Sequence, residues 1–273
     1  MNPTLPGIAA ILAYAAATAA LVKSFNSDYI LSPVSKREKL TTLVLGWLAA
    51  LFHAVSLNGM CDRAGHVNFS FLSTSSLAAL SIVIILLVTA VTKPIDKLGV
   101  VIFPLAAMIV LARVVFPEEA HVLKTHSWQM NVHILVSMLS YSFLNIAALQ
   151  ALLVAFQDRH LRRHQSSGLV RSLPPLQTME KLLFQLIGAG FVLLSISLIS
   201  GFFFIENLFA QHLAHKTILS ILAWFVFAVL LGARATRGWR GQIAIRWTLG
   251  GFLALMLAYF GSKMVLEWIL KKG

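Results

Sequence analysis

Residues 182–204 read LLFQLIGAGFVLLSISLISGFFF, a run of 23 positions with no charge and one amide side chain, Gln185. A helix on the surface of a soluble domain is apolar along one stripe and polar on the opposite face. Here every face is apolar, and about 20 such residues suffice to cross the hydrocarbon core of a bilayer. The run does not alternate with period two, so it is no strand of a transmembrane barrel. In hydrocarbon the remaining way to satisfy each backbone N–H and C=O is a helix. Residues 182–204 therefore predict a membrane-spanning helix.

Seven similar segments surround it, giving eight in all at roughly 5–23, 40–59, 71–92, 98–116, 131–156, 182–204, 216–233 and 247–269. The whole chain of 273 residues is 58% hydrophobic and 12% charged, with a mean hydropathy of +0.82. Soluble domains carry about twice that share of charge. The expected fold class is all-α, a polytopic integral membrane helical bundle of about eight transmembrane helices. A single transmembrane domain over 1–273 is expected, with no soluble domain. The N-terminal stretch MNPTLPGIAAILAYAAATAALVKSF has no positive charge before Lys23, so a retained first helix is expected rather than a signal peptide.

The net charge of +12 is distributed in short clusters between the apolar runs. A nucleic-acid surface would instead form one contiguous basic face, so nucleic acid is not expected as a partner. Fifteen of the 22 lysines and arginines lie in the loops after the odd-numbered segments, among them Lys36, Arg37, Lys93, Arg162, Arg171, Arg234 and Arg240. The loops after the second, fourth and sixth segments hold Arg63, Lys124 and Lys216. Basic loops stay on the cytoplasmic side, so both termini are expected outside. The longest connection, Asp158 to Met179, ends in a Pro174–Pro175 turn, and its charge either sets topology alone or also rests on anionic lipid. Cys61 is the only cysteine, which excludes an intrachain disulfide or a cysteine metal cluster.

With this orientation the histidines cluster at one level. The outer loop and helix start IENLFAQHLAHKT (205–217) carries His212 and His215, His133 opens the fifth segment, and His53 lies near the end of the second. Histidine is costly in hydrocarbon and faces the bundle interior or a hydrated cavity. Two neutral imidazoles from different helices suit the axial positions of haem iron, with Lys216, Arg113 or Lys263 as cations for the propionates. A quinone site, a proton path and plain interhelical hydrogen bonding use the same residue types. Along the fifth segment His133, Ser137, Ser140, Tyr141 and Asn145 form one polar stripe at helical spacing, read mainly as helix-packing hydrogen bonds. Nothing in the sequence sets a nucleophile beside a base, a phosphate loop or a carboxylate pair, so the chain is not expected to be an enzyme. His121 and His126, beside Glu118 and Glu119, read as a solvated loop.

Three blocks carry a resemblance: HILVSMLSYSFLNIAALQALLVAFQ (133–157), MEKLLFQLIGAGFVLLSISLISGFFF (179–204) and GWRGQIAIRWTLGGFLALMLAYFGS (238–262). In this order they resemble the cytochrome c assembly proteins, the haem-handling membrane family of CcsA, CcmC and CcmF. The resemblance covers roughly 40–269, and with so little outside its helices the chain is most similar to the YpjD-like inner membrane members of Gram-negative bacteria. Haem-handling members place an outer tryptophan-rich motif, WGxxWxWDxxE, before the seventh helix. Here that place holds 205–217, with no tryptophan and no aspartate. The family also has a histidine past the block ending near Gly261, where this chain reads KMVLEWILKKG. The resemblance therefore implies b-type haem at the outer face, with His133 and His215 as iron ligands and His53 as a deeper alternative. It implies a role in cytochrome complex assembly or haem handling in a bacterial inner (plasma) membrane. The alternative is a ligand-free accessory protein that binds and modulates another membrane protein, such as an ion transporter. Membrane lipid, haem and a partner membrane protein are the candidate partners.

Overall fold

The computed structural model describes residues 4–26, 36–57, 71–93, 95–116, 128–163, 173–204 and 211–258. All regular elements among them are helical: α1 Thr4–Asn26, α2 Lys36–Ser56, α3 Phe71–Thr92, α4 Gly99–Val115, α5 Trp128–Arg162, α6 Leu176–Phe204, α7 Gln211–Arg237 and α8 Gln242–Met256. Seven of the described helices are long and apolar enough to cross a membrane, and α8 is a shorter apolar helix of 15 residues. The eighth expected segment, 247–269, thus begins five residues earlier than its hydropathy suggests, and its part beyond 258 lies outside the described residues. Helix α5 runs six residues past the expected end because its last turn is still helix-favouring, with Asp158 and Arg162 paired at i,i+4 (3.0 Å). Helix α6 starts at Leu176 because Pro175 fixes the chain for a first turn, and its carbonyl accepts from the N–H groups of Thr178 and Met179.

The chain divides into two compact units, 1–125 with 163–174 and 126–162 with 175–273. In the first unit α1 packs on α2 and α4, and α3 packs on the same two helices, closing a four-helix ring. Its core face on α1 is Gly7, Ala10, Tyr14, Ala17 and Leu21, at three- and four-residue intervals. Small residues let the backbones approach, as expected where lipid supplies no hydrophobic drive between helices. Gly46 on α2 is one such point, since a Cβ there would lie 2.7 Å from Leu87 Cδ2 and 3.2 Å from Phe103 Cζ.

The second unit closes an equivalent ring in the order α5, α6, α7, α8, with α8 returning onto α5. Helices α5 and α6 run antiparallel in a fixed register. Ser137 Oγ lies 2.7 Å from Ser197 Oγ, Ser140 donates to the Gly190 carbonyl (2.9 Å), and Gln150 Nε2 donates to the Met179 carbonyl (3.1 Å). Large apolar side chains point outward, with Phe202 72% and Phe203 73% exposed. In water that pattern would be a liability, and facing lipid it is the ordinary outer surface of a bundle.

Candidate functional site

Each unit builds a polar cluster around one histidine. In the first unit His53 sits in the last turn of α2 and is fully buried. Its Nδ1 is 3.0 Å from the hydroxyl of Tyr14 on α1, and its Nε2 is 2.9 Å from Ser76 Oγ on α3. One neutral imidazole supplies one N–H and one lone pair, so both hydroxyls are satisfied by a single ring. Tyr14 also stacks on Phe103 of α4 (5.9 Å between centroids, 26° between planes), which brings all four helices to this point. One turn further on, Arg113 Nη1 donates to the carbonyl of Ser56 (3.1 Å), one of the carbonyls left open at the C-terminal end of α2. Arg113 thus caps the end of α2, where the sequence offered it as a cation for a propionate. His53 was expected near the end of the second segment, and it lies one turn from the end of α2 at Ser56. Neither ring nitrogen of His53 is open to a ligand in this arrangement.

In the second unit the arrangement is different. His133 lies in the second turn of α5 and is half-buried, with Nδ1 2.9 Å from Ser200 Oγ on α6. Ser200 Oγ itself donates to the carbonyl of Ser197 (2.9 Å). A serine hydroxyl has one hydrogen, and with that hydrogen on Ser197 the oxygen can only accept from His133. In the tautomer that this pattern suits, Nδ1 carries the proton and Nε2 the lone pair, and the ring also makes a hydrogen bond with the Ser197 backbone. A histidine that binds a metal commonly uses its other nitrogen in this way, donating to a fixed acceptor that sets tautomer and ring orientation. The support continues along the same faces. Ser137 donates to the His133 carbonyl (2.6 Å), which leaves the Ser197 hydroxyl to donate to Ser137, and Ser195 Oγ accepts from Trp224 Nε1 on α7 (2.8 Å).

His215 lies in the first turns of α7, and its side chain is outside the described residues, as are those of His212 and Lys263. The N-terminal ends of α5 and α7 share the end of the unit where α6 finishes, because each neighbouring pair in the ring is antiparallel. The backbone of His215 is thus about one helical turn, or ~6 Å, further toward that end than His133. Lys216 is half-buried at the same end. His121, His126, Glu118 and Glu119 fall outside the described residues, and among the described ones no group of three His, Cys, Asp or Glu could hold a metal ion. The stripe on α5 is helix-packing glue at Ser137 and Ser140, as expected, while Tyr141 is buried against Phe252 of α8 (6.1 Å). Tyr14 and Ser76 were not singled out from sequence. The available signal was the one hydroxylated aromatic on a face of alanines and glycine, since a tyrosine O–H buried in hydrocarbon must find a partner.

The residues of the two clusters fit haem in part. His133 offers an imidazole held at Nδ1 by Ser200, the kind of support common to histidines that bind iron. His53 offers no open nitrogen.

A family model described as cytochrome C assembly protein matches residues 40–270. The chain is 34% identical over 228 residues to "Inner membrane protein YpjD" of Escherichia coli K12, covering 81% of this chain and 85% of that one. It is 31% identical over 152 residues to "Cytochrome c biogenesis protein CcsA" of Guillardia theta, half of each chain, and 29% identical over 99 residues to the CcsA of Gloeobacter violaceus, covering 36% of this chain and 29% of that one. No solved structure matches. Seven apolar helices and the match to a named inner membrane protein make this a multi-pass inner-membrane protein. Together with a family model that spans most of its length, they identify the chain as a member of the cytochrome c assembly protein family.

Proposed function

We propose that this protein binds a b-type haem at the outer end of its second unit, with His133 as one axial ligand and His215 as the other, and that it handles haem in support of cytochrome complex assembly rather than acting as an enzyme. The observation that carries this reading is the hydrogen bond between His133 Nδ1 and Ser200 Oγ, which holds the ring in the way that metal-binding histidines are commonly held and makes Nε2 the nitrogen for iron. His215 enters on its position at the same end of the unit, and Lys216 beside it is a cation for a propionate. A bound haem would supply one-electron exchange at its iron or be carried as cargo. The residues themselves bind and orient: His133 holds the ligand position, Ser200 keeps the Nδ1 proton, and the apolar outer surface of α6 keeps water from one side. His53 is assigned to holding the first unit together and not to the iron. Two relatives named cytochrome c biogenesis protein CcsA support this reading.

A second reading, a ligand-free accessory protein that binds another membrane protein, is favoured by one observation. Residues 205–217 have neither tryptophan nor aspartate where the haem-handling relatives carry their motif. The two readings separate in the visible spectrum of protein purified in mild detergent, before and after dithionite. Haem binding predicts a Soret band and sharp reduced bands, and the sharp reduced bands of a two-histidine iron are lost in His133→Ala and in His215→Ala. A colourless protein that also fails to take up added haemin would leave the accessory reading alone standing.

A further inference from the structure

At the opposite end of the second unit the helices finish in a basic surface that the haem reading does not use. The ends of α5 and α7 and the starts of α6 and α8 are tied together there. Gln242 Nε2 donates to Asp158 (2.8 Å), the Gly241 N–H donates to Glu180 (2.8 Å), and Arg234 donates to the Trp239 carbonyl (3.0 Å) while lying 4.6 Å over the Phe184 ring. The α7–α8 turn passes through left-handed backbone at Gly238 (φ 67°) and Gly241 (φ 61°), which glycine alone adopts without strain. Its shape is thereby fixed. Both acids of the region are spent on these ties, Asp158 also pairing with Arg162.

Around the turn stand Arg159, Arg162, Lys181, Arg237, Arg240 and Arg246, all exposed. Trp239 and Trp247 pack together at the same level, 5.4 Å between centroids. The candidate spans of α5 and α7 end at Arg162 and Arg237, so the cluster lies at the membrane boundary. Tryptophan is enriched at that level. In the first unit the described cations at the ends of α1 and α3 and the starts of α2 and α4 are lysines, Lys23, Lys39, Lys93 and Lys97, of which Lys97 is buried and donates to Ser24 (3.1 Å), and the exposed Arg163 belongs to its segment 163–174. A guanidinium grips phosphate through two parallel N–H groups where an ammonium offers only a point charge.

We propose that this arginine-rich end is a docking site for the phosphate headgroup of an anionic phospholipid, with Arg237, Arg240 and Arg246 as the principal contacts and the tryptophan pair beside the acyl–headgroup boundary. The tied turn holds the guanidinium groups at one level in advance, and the exposed cations outnumber the two carboxylates, Asp158 and Glu180, which leaves the surface positive. The bilayer supplies the occupant, since the cluster sits at its edge.

The full-length protein in phosphatidylcholine nanodiscs, titrated with cardiolipin and read by native mass spectrometry, tests the assignment. The wild type should retain cardiolipin in preference to phosphatidylcholine. Arg237→Gln/Arg240→Gln/Arg246→Gln should weaken retention on the order of a hundredfold, since each basic residue near an anionic surface contributes several-fold. Lys23→Gln/Lys39→Gln/Lys93→Gln, which removes equal charge from the first unit, should weaken it far less, because an ammonium offers a point charge where the guanidinium groups grip the phosphate. The single Arg240→Gln variant, exposed and free of core contacts, should show an intermediate loss if the triple variant does not fold. An equal loss in the lysine variant would overturn the proposal in favour of charge that only sets topology, as would wild-type protein that shows no preference among lipids.

Discussion

Replacing His53 by leucine tests the account of the first unit. The side chain is fully buried and bonded to Tyr14 and Ser76 on two different neighbouring helices. Leucine has a similar volume, so little cavity forms, and the cost comes from the two hydroxyls left without a partner. Interhelical hydrogen bonds in membrane proteins are worth about 0.6 kcal/mol on average and up to about 1.7. A buried polar group left unsatisfied costs about 1–3 kcal/mol. His53→Leu should therefore destabilise the protein by about 2–4 kcal/mol by the same figures. Tyr14→Phe keeps the stack on Phe103 and removes only the hydroxyl, for about 1 kcal/mol. Because Tyr14 loses nothing further once His53 is gone, the double variant should fall short of the sum by about 1 kcal/mol. Equilibrium unfolding in mixed micelles, with all four proteins measured in parallel, gives this coupling directly. A coupling below about 0.3 kcal/mol, the usual error of additivity, would refute the bond and with it the structural role assigned to His53. The spectrum of haemin-loaded protein should be unchanged in His53→Leu.

Three further outcomes follow from the geometry. Gly190→Ala should destabilise the α5–α6 pair by about 1–3 kcal/mol in the same unfolding assay, because its Cβ would stand 2.7 Å from Leu144 Cγ and 3.3 Å from Phe143 Cβ; Gly188→Ala, with nothing within 4 Å, should be neutral or slightly stabilising. Ser200→Ala removes the acceptor that fixes the His133 tautomer and should weaken haemin binding about 10–100-fold in a titration while leaving the fold intact. Arg113→Leu should lower the unfolding midpoint by exposing the open carbonyl of Ser56, and added haemin should bind as tightly as to wild type.

The fold was legible because hydropathy in a membrane is a length measurement. Runs such as 182–204 admit one structure, and the order of three blocks carried the family. The boundaries were less legible where the apolar run and the helix part company. Helix α5 continues to Arg162 on i,i+4 pairing, and α8 starts at Gln242 because Gly241 turns the chain there, neither of which is a hydropathy signal. The histidines were found because an imidazole in an apolar helix is costly wherever it lies. Their separation into a sealed ring at His53 and a half-buried one at His133 depends on which serine or tyrosine faces them across the bundle, and a serine in a membrane helix carries no mark of its partner. Tyr14 lies 39 positions from His53, and Ser200 lies 67 from His133. The departures from the family pattern at 205–217 were visible in the sequence, and they bear on the proposed handling of haem more than on the setting of His133.

The central claim is that His133 ligates haem through the nitrogen that Ser200 does not engage. Electron paramagnetic resonance of the ferric, haemin-loaded protein reports the axial ligands of the iron directly. The account predicts a low-spin signal of two imidazole ligands that converts to a high-spin signal in His133→Ala and survives in His53→Leu. A low-spin signal unchanged by His133→Ala, or one abolished by His53→Leu in a variant that still folds, would contradict it.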